Sequence, residues 1–272
     1  LNYGNMIYRD FTRMRTTAEH TDGNPDTFEG DLHATVQAYG IPDAGVLVVY
    51  AVPAEGLVPR AQRSLATAFS ARLRIVAGDS ARGRFAATLD TTKHWYLNSP
   101  PAPGIQLTAY RFVPTPTGTW SVAVVLSDLA RRAGSGQRIR DVPVTAFNGT
   151  TLALGDPILG SAEGGLAWTH AGITIPLNPR NVWRPDELAV LTYQVGGLLP
   201  GRPYETRIEI LQGTVVKNAF TTTAPATDPI MSVQKELSLA QLGAGDYRIV
   251  VHIRDTVTGA AVTRERDLAI RP

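Results

Sequence analysis

Apolar residues along this chain fall in short runs cut by turn residues, not in helical stripes. The clear runs in the first half are 45–52 (GVLVVYAV), 71–77 (ARLRIVA), 83–90 (GRFAATLD), 105–113 (IQLTAYRFV) and 119–127 (TWSVAVVLS), with a further strand at 141–146 (DVPVTA). Ile105, Leu107 and Ala109 alternate with Gln106, Thr108 and Tyr110, the period of two that a half-buried strand requires. The second half repeats the rhythm at 171–176, 187–195, 203–211, 214–222, 231–238, 245–254 and 260–270, with Pro225, Pro229, Gly243 and Gly245 between runs, where strand breakers belong. The pattern predicts an all-β chain of two tandem immunoglobulin-like or fibronectin-like β-sandwiches, preceded by a short, partly helical N-terminal segment.

Two segments read as copies. Gly118–Asp128 (GTWSVAVVLSD) and Gly245–Asp255 (GDYRIVVHIRD) align without a gap: glycine first, an aromatic third, a mostly apolar strand, a closing aspartate. A looser pair is 46–52 and 188–195, each with a tyrosine late in the run, Tyr50 and Tyr193. Internal similarity of this kind points to two related sandwiches. The expected organisation is an N-terminal segment over 1–40, a first sandwich over 41–150, a Gly-rich linker over 151–168 and a second sandwich over 169–272. In the N-terminal segment, Met6-Ile7-Tyr8, Phe11 and Met14 recur at helical spacing.

Composition narrows the chemistry. The chain has 272 residues and no cysteine, which removes disulfides, thiol nucleophiles and cysteine-bound metals. Its 26 basic and 24 acidic residues leave a net charge of +2, too small and too evenly spread to argue for nucleic acid. The longest apolar run, 46–52, is far short of the ~20 residues of a spanning helix, so no transmembrane segment is expected. His20, His33, His94, His170 and His252 stand apart from one another, without metal-site spacing. Asp22, Asn24 and Asp26 alternate as calcium loops do, but Thr27 and His33 occupy the places of the required Gly and Glu. Gly78-Asp79-Ser80-Ala81-Arg82 puts arginine where a serine-hydrolase elbow needs glycine, and reads as a hairpin turn. No catalytic residue, cofactor site or metal site is expected.

The remaining candidates are contacts for a partner protein. Arg131, Arg132, Arg138 and Arg140 form a modest basic patch around Gly134-Ser135-Gly136. Trp95 and Tyr96 lie near Pro100-Pro101, and Trp168 and Trp183 near other loops; left exposed, such aromatics anchor partners. The contact set is Tyr8, Phe11, Trp95, Tyr96, Arg131, Arg132, Arg138 and Trp183. An exposed platform of Trp95, Trp168 or Trp183 would instead suit a carbohydrate-binding or adhesin-like module.

Longer motifs in the C-terminal half add to this. Pro176-Leu177-Asn178-Pro179-Arg180, the run 188–193, Leu198 to Tyr204, Leu239-Ala240-Gln241-Leu242-Gly243-Ala244-Gly245-Asp246-Tyr247 and Asp255-Thr256-Val257-Thr258-Gly259 follow one another in an order that resembles the GWxTD-domain proteins of the bacterial envelope. Tyr50-Ala51-Val52-Pro53 and Leu126-Ser127-Asp128-Leu129 resemble family segments too, and Tyr39-Gly40-Ile41-Pro42-Asp43 resembles a turn of that family. The Gly-Trp-x-Thr-Asp signature is absent, and no functional residue carries over. The resemblance implies a periplasmic or envelope location, peripheral to the membrane, and the start at Leu1 without an initiator Met leads us to expect a processed N-terminus or an upstream anchor. With the sandwich pattern, it leads us to expect a non-enzymatic accessory subunit that docks on a larger membrane-bound assembly.

Overall fold

A computed structural model of the chain describes residues 28–61, 67–79, 84–128 and 130–272. The expected N-terminal helix, Tyr8 and Phe11 lie outside these residues, as do His20, Asp22, Asn24 and Asp26. The regular structure of the described chain is strand, as the alternating pattern requires, apart from one short 3-10 turn, Ala54–Gly56. It divides into two compact units. The first contains Val48–Thr115, Thr119–Val142 and the described residues up to Ala38; the second contains Tyr39–Leu47, Pro116–Gly118 and Pro143–Pro272. The boundary lies at 142/143 and falls within strands, not in the expected linker at 151–168.

The first unit draws on β1 (Gly30–Asp31), β2 (Thr35–Ile41), β3 (Gly45–Pro53), β4 (Arg60–Ala61), β5 (Thr67–Asp79), β6 (Arg84–Leu97), β7 (Gln106–Pro114), β8 (Gly118–Asp128) and β9 (Ala133–Val144), of which β2, β3, β8 and β9 cross the division, Tyr39–Leu47 belonging to the second unit. One sheet runs β1-β9-β8-β5-β4, with β6 on β5; the other is β2-β3-β7. On β5 the residues Phe69, Ala71, Leu73, Ile75 and Ala77 are buried, as are Trp120, Val122, Val124 and Leu126 on β8. These alternate positions form one apolar face, opposed by Leu107, Ala109 and Val113 of β7 and by β3, whose residues 48–52 are wholly buried. Two sheets with a shared apolar interior make a β-sandwich.

The second unit contains β10 (Ala153–Leu154), β11 (Ile158–Ser161), β12 (Ala167–His170), β13 (Ile173–Pro176), β14 (Val182–Trp183), β15 (Leu188–Gly196), β16 (Pro203–Gln212), β17 (Val215–Pro225), β18 (Ile230–Ser238), β19 (Gly245–Asp255) and β20 (Ala261–Ile270). β18 covers one edge of β15, while β10 and β11 share the other. The facing sheet runs β14-β20-β19-β16-β17. Leu191, Tyr193, Val195 and Leu237 from the first sheet and Ile208, Ile210, Ile249, Val251 and Leu268 from the second form one core. β14 lies parallel to β20, and the Tyr247 hydroxyl donates to the Gly243 carbonyl at 2.8 Å. That bond is the tyrosine corner of immunoglobulin-like sandwiches.

Both units therefore share a strand order: β1-β9-β8-β5-β6, with the short β4 as a sixth strand on β5, matches the five strands β14-β20-β19-β16-β17, and β2-β3-β7 matches β10/β11-β15-β18. The two sequence copies, Gly118–Asp128 and Gly245–Asp255, are equivalent strands, β8 and β19, with identical bounds relative to the motif. Tyr50 and Tyr193 are each the sixth residue of the equivalent nine-residue strands β3 and β15. The Gly-rich stretch read as a linker supplies β10, β11 and the start of β12. Gly160 is strand backbone there: a Cβ would lie 2.0 Å from the Pro176 carbonyl oxygen, so glycine marks a close backbone approach.

Candidate functional site

In the first unit a groove of about 620 Å³ opens between three loops at one end of the sandwich. Each wall has a local cause. The apolar strand β3 ends at Pro53, and the chain closes a 3-10 turn in which the Leu57 N–H donates to the Ala54 carbonyl at 3.2 Å. The Ala54 N–H is held by the Ile105 carbonyl at 2.9 Å. Ala54, Leu57 and, from β5, Phe69 are buried and form an apolar floor. Pro100, Pro101, Ala102 and Pro103 make the facing wall; three of these four lack an N–H, so the wall is stiff and poor in donors. Arg131 stands on the rim, its guanidinium donating to the Glu55 carbonyl at 2.6 Å.

Asp128 sets the spacing of these loops. It is 5% exposed, and its carboxylate accepts the Val58 N–H at 2.7 Å and the Ala130 N–H at 2.8 Å. One charged group thus ties the loop after β3 to the loop after β8, using charge-assisted bonds in a site shielded from water. The volume lies in the range of small-molecule and side-chain pockets, and the lining is mostly apolar, with Thr67 and the charged pair of residues Glu55 and Arg131 among it. Such a groove can bind by burial and orient by charge.

The sequence-derived contact residues scatter around this geometry. Arg131 is on the groove; Arg132 is beside it in sequence but pairs with Glu29 at 2.6 Å. Arg138 is half-buried in β9, which runs through Gly134-Ser135-Gly136. Trp95 is half-buried on β6: its indole N–H donates to the Thr108 carbonyl at 2.9 Å and its ring meets Tyr50 edge-on. Tyr96 is 59% exposed and stacks on His94. Trp183 is corrected from contact to core: it is 1% exposed, because β14 tucks alongside the end of β20 with Trp183 opposite Ile270. Trp120 and Trp168 are also buried, at 4% and 7%, so the expected tryptophan platform does not form. Ala54, Leu57, Pro59, Phe69 and Pro103 were not singled out by sequence; the run of prolines at 100–103 was the available signal.

Two polar clusters lie in the second unit. His252 bridges the Glu209 carboxylate (3.0 Å) and the Thr263 hydroxyl (2.9 Å), and Arg207 holds Glu209 at 2.5 Å. Arg207 first, then His252, keep the Glu209 carboxyl below the usual carboxylate range. These residues sit on the outward side of β16, β19 and β20 and tie three strands across. The second cluster explains the Tyr39-Gly40-Ile41-Pro42-Asp43 motif. Asp156 accepts the Gly40 N–H at 3.1 Å and lies 3.7 Å from Arg266, whose guanidinium covers the Tyr39 ring at 4.1 Å. Burial pushes the Asp156 carboxyl up, against the pull of Arg266. The Asp43 carboxylate accepts the Phe147 N–H. Each polar residue of the motif serves as a latch. Among the described residues, no three His, Asp or Glu side chains are placed to hold a metal.

No family model and no curated protein matches the chain. Among solved structures it resembles red sea bream transglutaminase (12% identity, TM-score 0.26, 88% of this chain and 31% of that one) and an Escherichia coli alpha-2-macroglobulin activated by porcine elastase (11% identity, TM-score 0.26, 89% and 22%). The chain spans about a third or less of the length of these structures.

Proposed function

We propose that this chain is a non-catalytic accessory subunit of a bacterial cell envelope that docks onto a larger, membrane-bound protein assembly. The observation that carries the reading is the apolar, proline-walled groove at the loop end of the first unit, with Arg131 on its rim. Loop ends of sandwiches are where such domains bind partners, because the sheets hold the loops rigid. An apolar segment of a partner, carrying a carboxylate to meet Arg131, fits the lining. The envelope location rests on the resemblance of the strand and turn motifs to GWxTD-domain proteins.

The test is site-specific photo-crosslinking in intact cells. A photoreactive residue at Thr67 or Ala102, on the groove, should give an adduct with one membrane-fraction protein, and Arg131→Glu should abolish it. Absence of any adduct from either groove position would sink the proposal. So would an equal adduct from a control position at Glu205 in the second unit.

A further inference from the structure

The strand β17 is an edge without a cover. Among the described residues it pairs with β16 on one side and with no strand on the other. Along its eleven residues every position is exposed except Asn218, which is half-buried. Phe220, Thr222 and Ala224 lie opposite the core residues Ile208, Thr206 and Tyr204, so they point to the core side of the sheet, yet Phe220 remains 42% exposed. Long, regular, uncharged edges invite another strand, and natural proteins guard them with charge, proline or bulges. Here the guards stand at the two ends. The pairing register slips between Ile210 and Leu211, beside Lys217, and Pro225 closes the strand. Between them, 218–224 (NAFTTTA) carries no charge and no proline. The equivalent edge strand of the first unit, β6, is guarded along its length by Asp90, Lys93 and His94.

We propose that β17 is a self-association seam, on which a second copy of this chain adds its own β17 antiparallel about a two-fold axis near Phe220 and Thr221. The sequence is self-complementary for that operation. With the axis at Phe220, Ala219 meets Thr221, Asn218 meets Thr222 and Val216 meets Ala224. With the axis at Thr221, Phe220 meets Thr222. In both registers the only charge of the strand, Lys217, faces an uncharged residue, Thr223 or Pro225, so no like charges oppose. The guarded ends limit pairing to about seven residues. A seam of that kind closes as an isologous dimer and does not propagate. This surface belongs to the second unit and stands independently of the groove proposed above.

The test uses the full chain in sedimentation equilibrium, from low to high micromolar concentration. The wild type should show a monomer–dimer equilibrium. Thr221→Lys, which sets two lysines near the axis, should weaken it at least ~10-fold without changing the circular dichroism spectrum or Tm. An equimolar mixture of Thr221→Lys and Thr221→Glu should restore the dimer. Because the chain has no cysteine, Thr221→Cys introduces a single thiol, and oxidation should trap a disulfide dimer far faster than in Thr88→Cys on β6. A wild type that stays monomeric over the whole range overturns the proposal. So does a dimer indifferent to Thr221→Lys, or equal cross-linking at the two sites.

Discussion

The closing aspartates of the two copied strands, Asp128 and Asp255, occupy the same place in the sequence repeat and do different work. Asp255 caps its own turn: its carboxylate accepts the N–H groups of Val257 and Thr258 at 2.8 and 3.1 Å, which lowers its pKa. Asp128 caps its turn through Ala130 and also reaches the Val58 N–H, in the loop after β3. It is buried, whereas Asp255 is half-exposed. The third residue of the repeat diverges as well. Tyr247 makes a corner bond to Gly243, while Trp120 supplies bulk to the core. A repeat thus preserves the turn-capping chemistry of a position, and redirecting one of the two hydrogen bonds, from Thr258 of its own turn at Asp255 to Val58 of another loop at Asp128, converts a local cap into a brace between two loops. The unit with the brace is the one with the groove.

The strongest way to break this comparison is to remove both carboxylates in turn. Asp128→Ala leaves two backbone N–H groups without their charged acceptor in a buried site, and should cost about 3 kcal/mol in chemical denaturation. It should also loosen the groove, read as faster hydrogen exchange at Val58 and Ala130. Asp255→Ala, on a solvated turn, should lower Tm far less. Equal losses would mean that burial of Asp128 adds nothing to the cap.

Which parts of this were legible from sequence follows from the range of the interactions. Strand positions are legible because alternation and turn residues are local, and the copies Gly118–Asp128 and Gly245–Asp255 match in sequence alone. The groove was not, because Leu57, Phe69, Pro103 and Arg131 come from four separated stretches and only the fold brings them together. Trp183 was misread since its neighbours Asn181, Arg184 and Pro185 look like a loop. Its burial comes from a two-residue parallel pairing with β20, ~90 residues away in the chain, a pairing that no local pattern announces. The linker reading failed for a related reason: glycine signals either freedom or close approach, and at Gly160 the neighbour that decides, Pro176, belongs to a later strand.

A smaller effect sharpens the equivalence of the smaller sheets. Burial pushes the phenols of Tyr50 and Tyr193 up to about 12, above the usual ~10. A group whose pKa is raised on folding stabilises the fold fully below its unfolded value and loses that contribution as pH climbs through the folded one. Stability should therefore hold to about pH 10 and fall by ~2 kcal/mol per tyrosine toward pH 12. Tyr50→Phe and Tyr193→Phe should each flatten that limb by a similar amount, measured by urea denaturation against pH. A flat response in one variant only would show that the two sites differ in spite of their shared register.

Below that stands the corner itself. Tyr247→Phe removes one hydrogen bond from a hydroxyl near the core surface and should cost about 1 kcal/mol. Trp120→Phe probes the equivalent place in the first unit by loss of volume instead. The two variants should part in their response to cosolvent: stabilising osmolytes, which strengthen burial, should offset the Trp120 loss less than they raise the wild type, since less apolar area is buried.

The smallest effects concern the outward faces of the two larger sheets. In the first unit Asp90 of β6 is held by Arg72 at 2.5 Å and by Arg74 at 3.3 Å; in the second, Glu209 of β16 is held by Arg207 and His252. Both carboxyls lie below their usual values, Asp90 chiefly through its hydrogen bonds from Arg72 and Glu209 chiefly through those from Arg207. For a depressed carboxyl the contribution is present above the unfolded value, near 4, and disappears as pH falls through the folded value. Asp90→Asn and Glu209→Gln should therefore leave stability at pH 7 slightly lower, by less than ~1 kcal/mol for these solvent-facing pairs, and make the decline below pH 4 shallower. The salt response separates the two sites. Asp90, a third exposed, should lose most of its effect in high salt, whereas Glu209, with its side chain 14% exposed, should keep more of it. If both effects vanish together, the His252 bridge adds no shielding, and the outward faces of the two sheets are electrostatically alike.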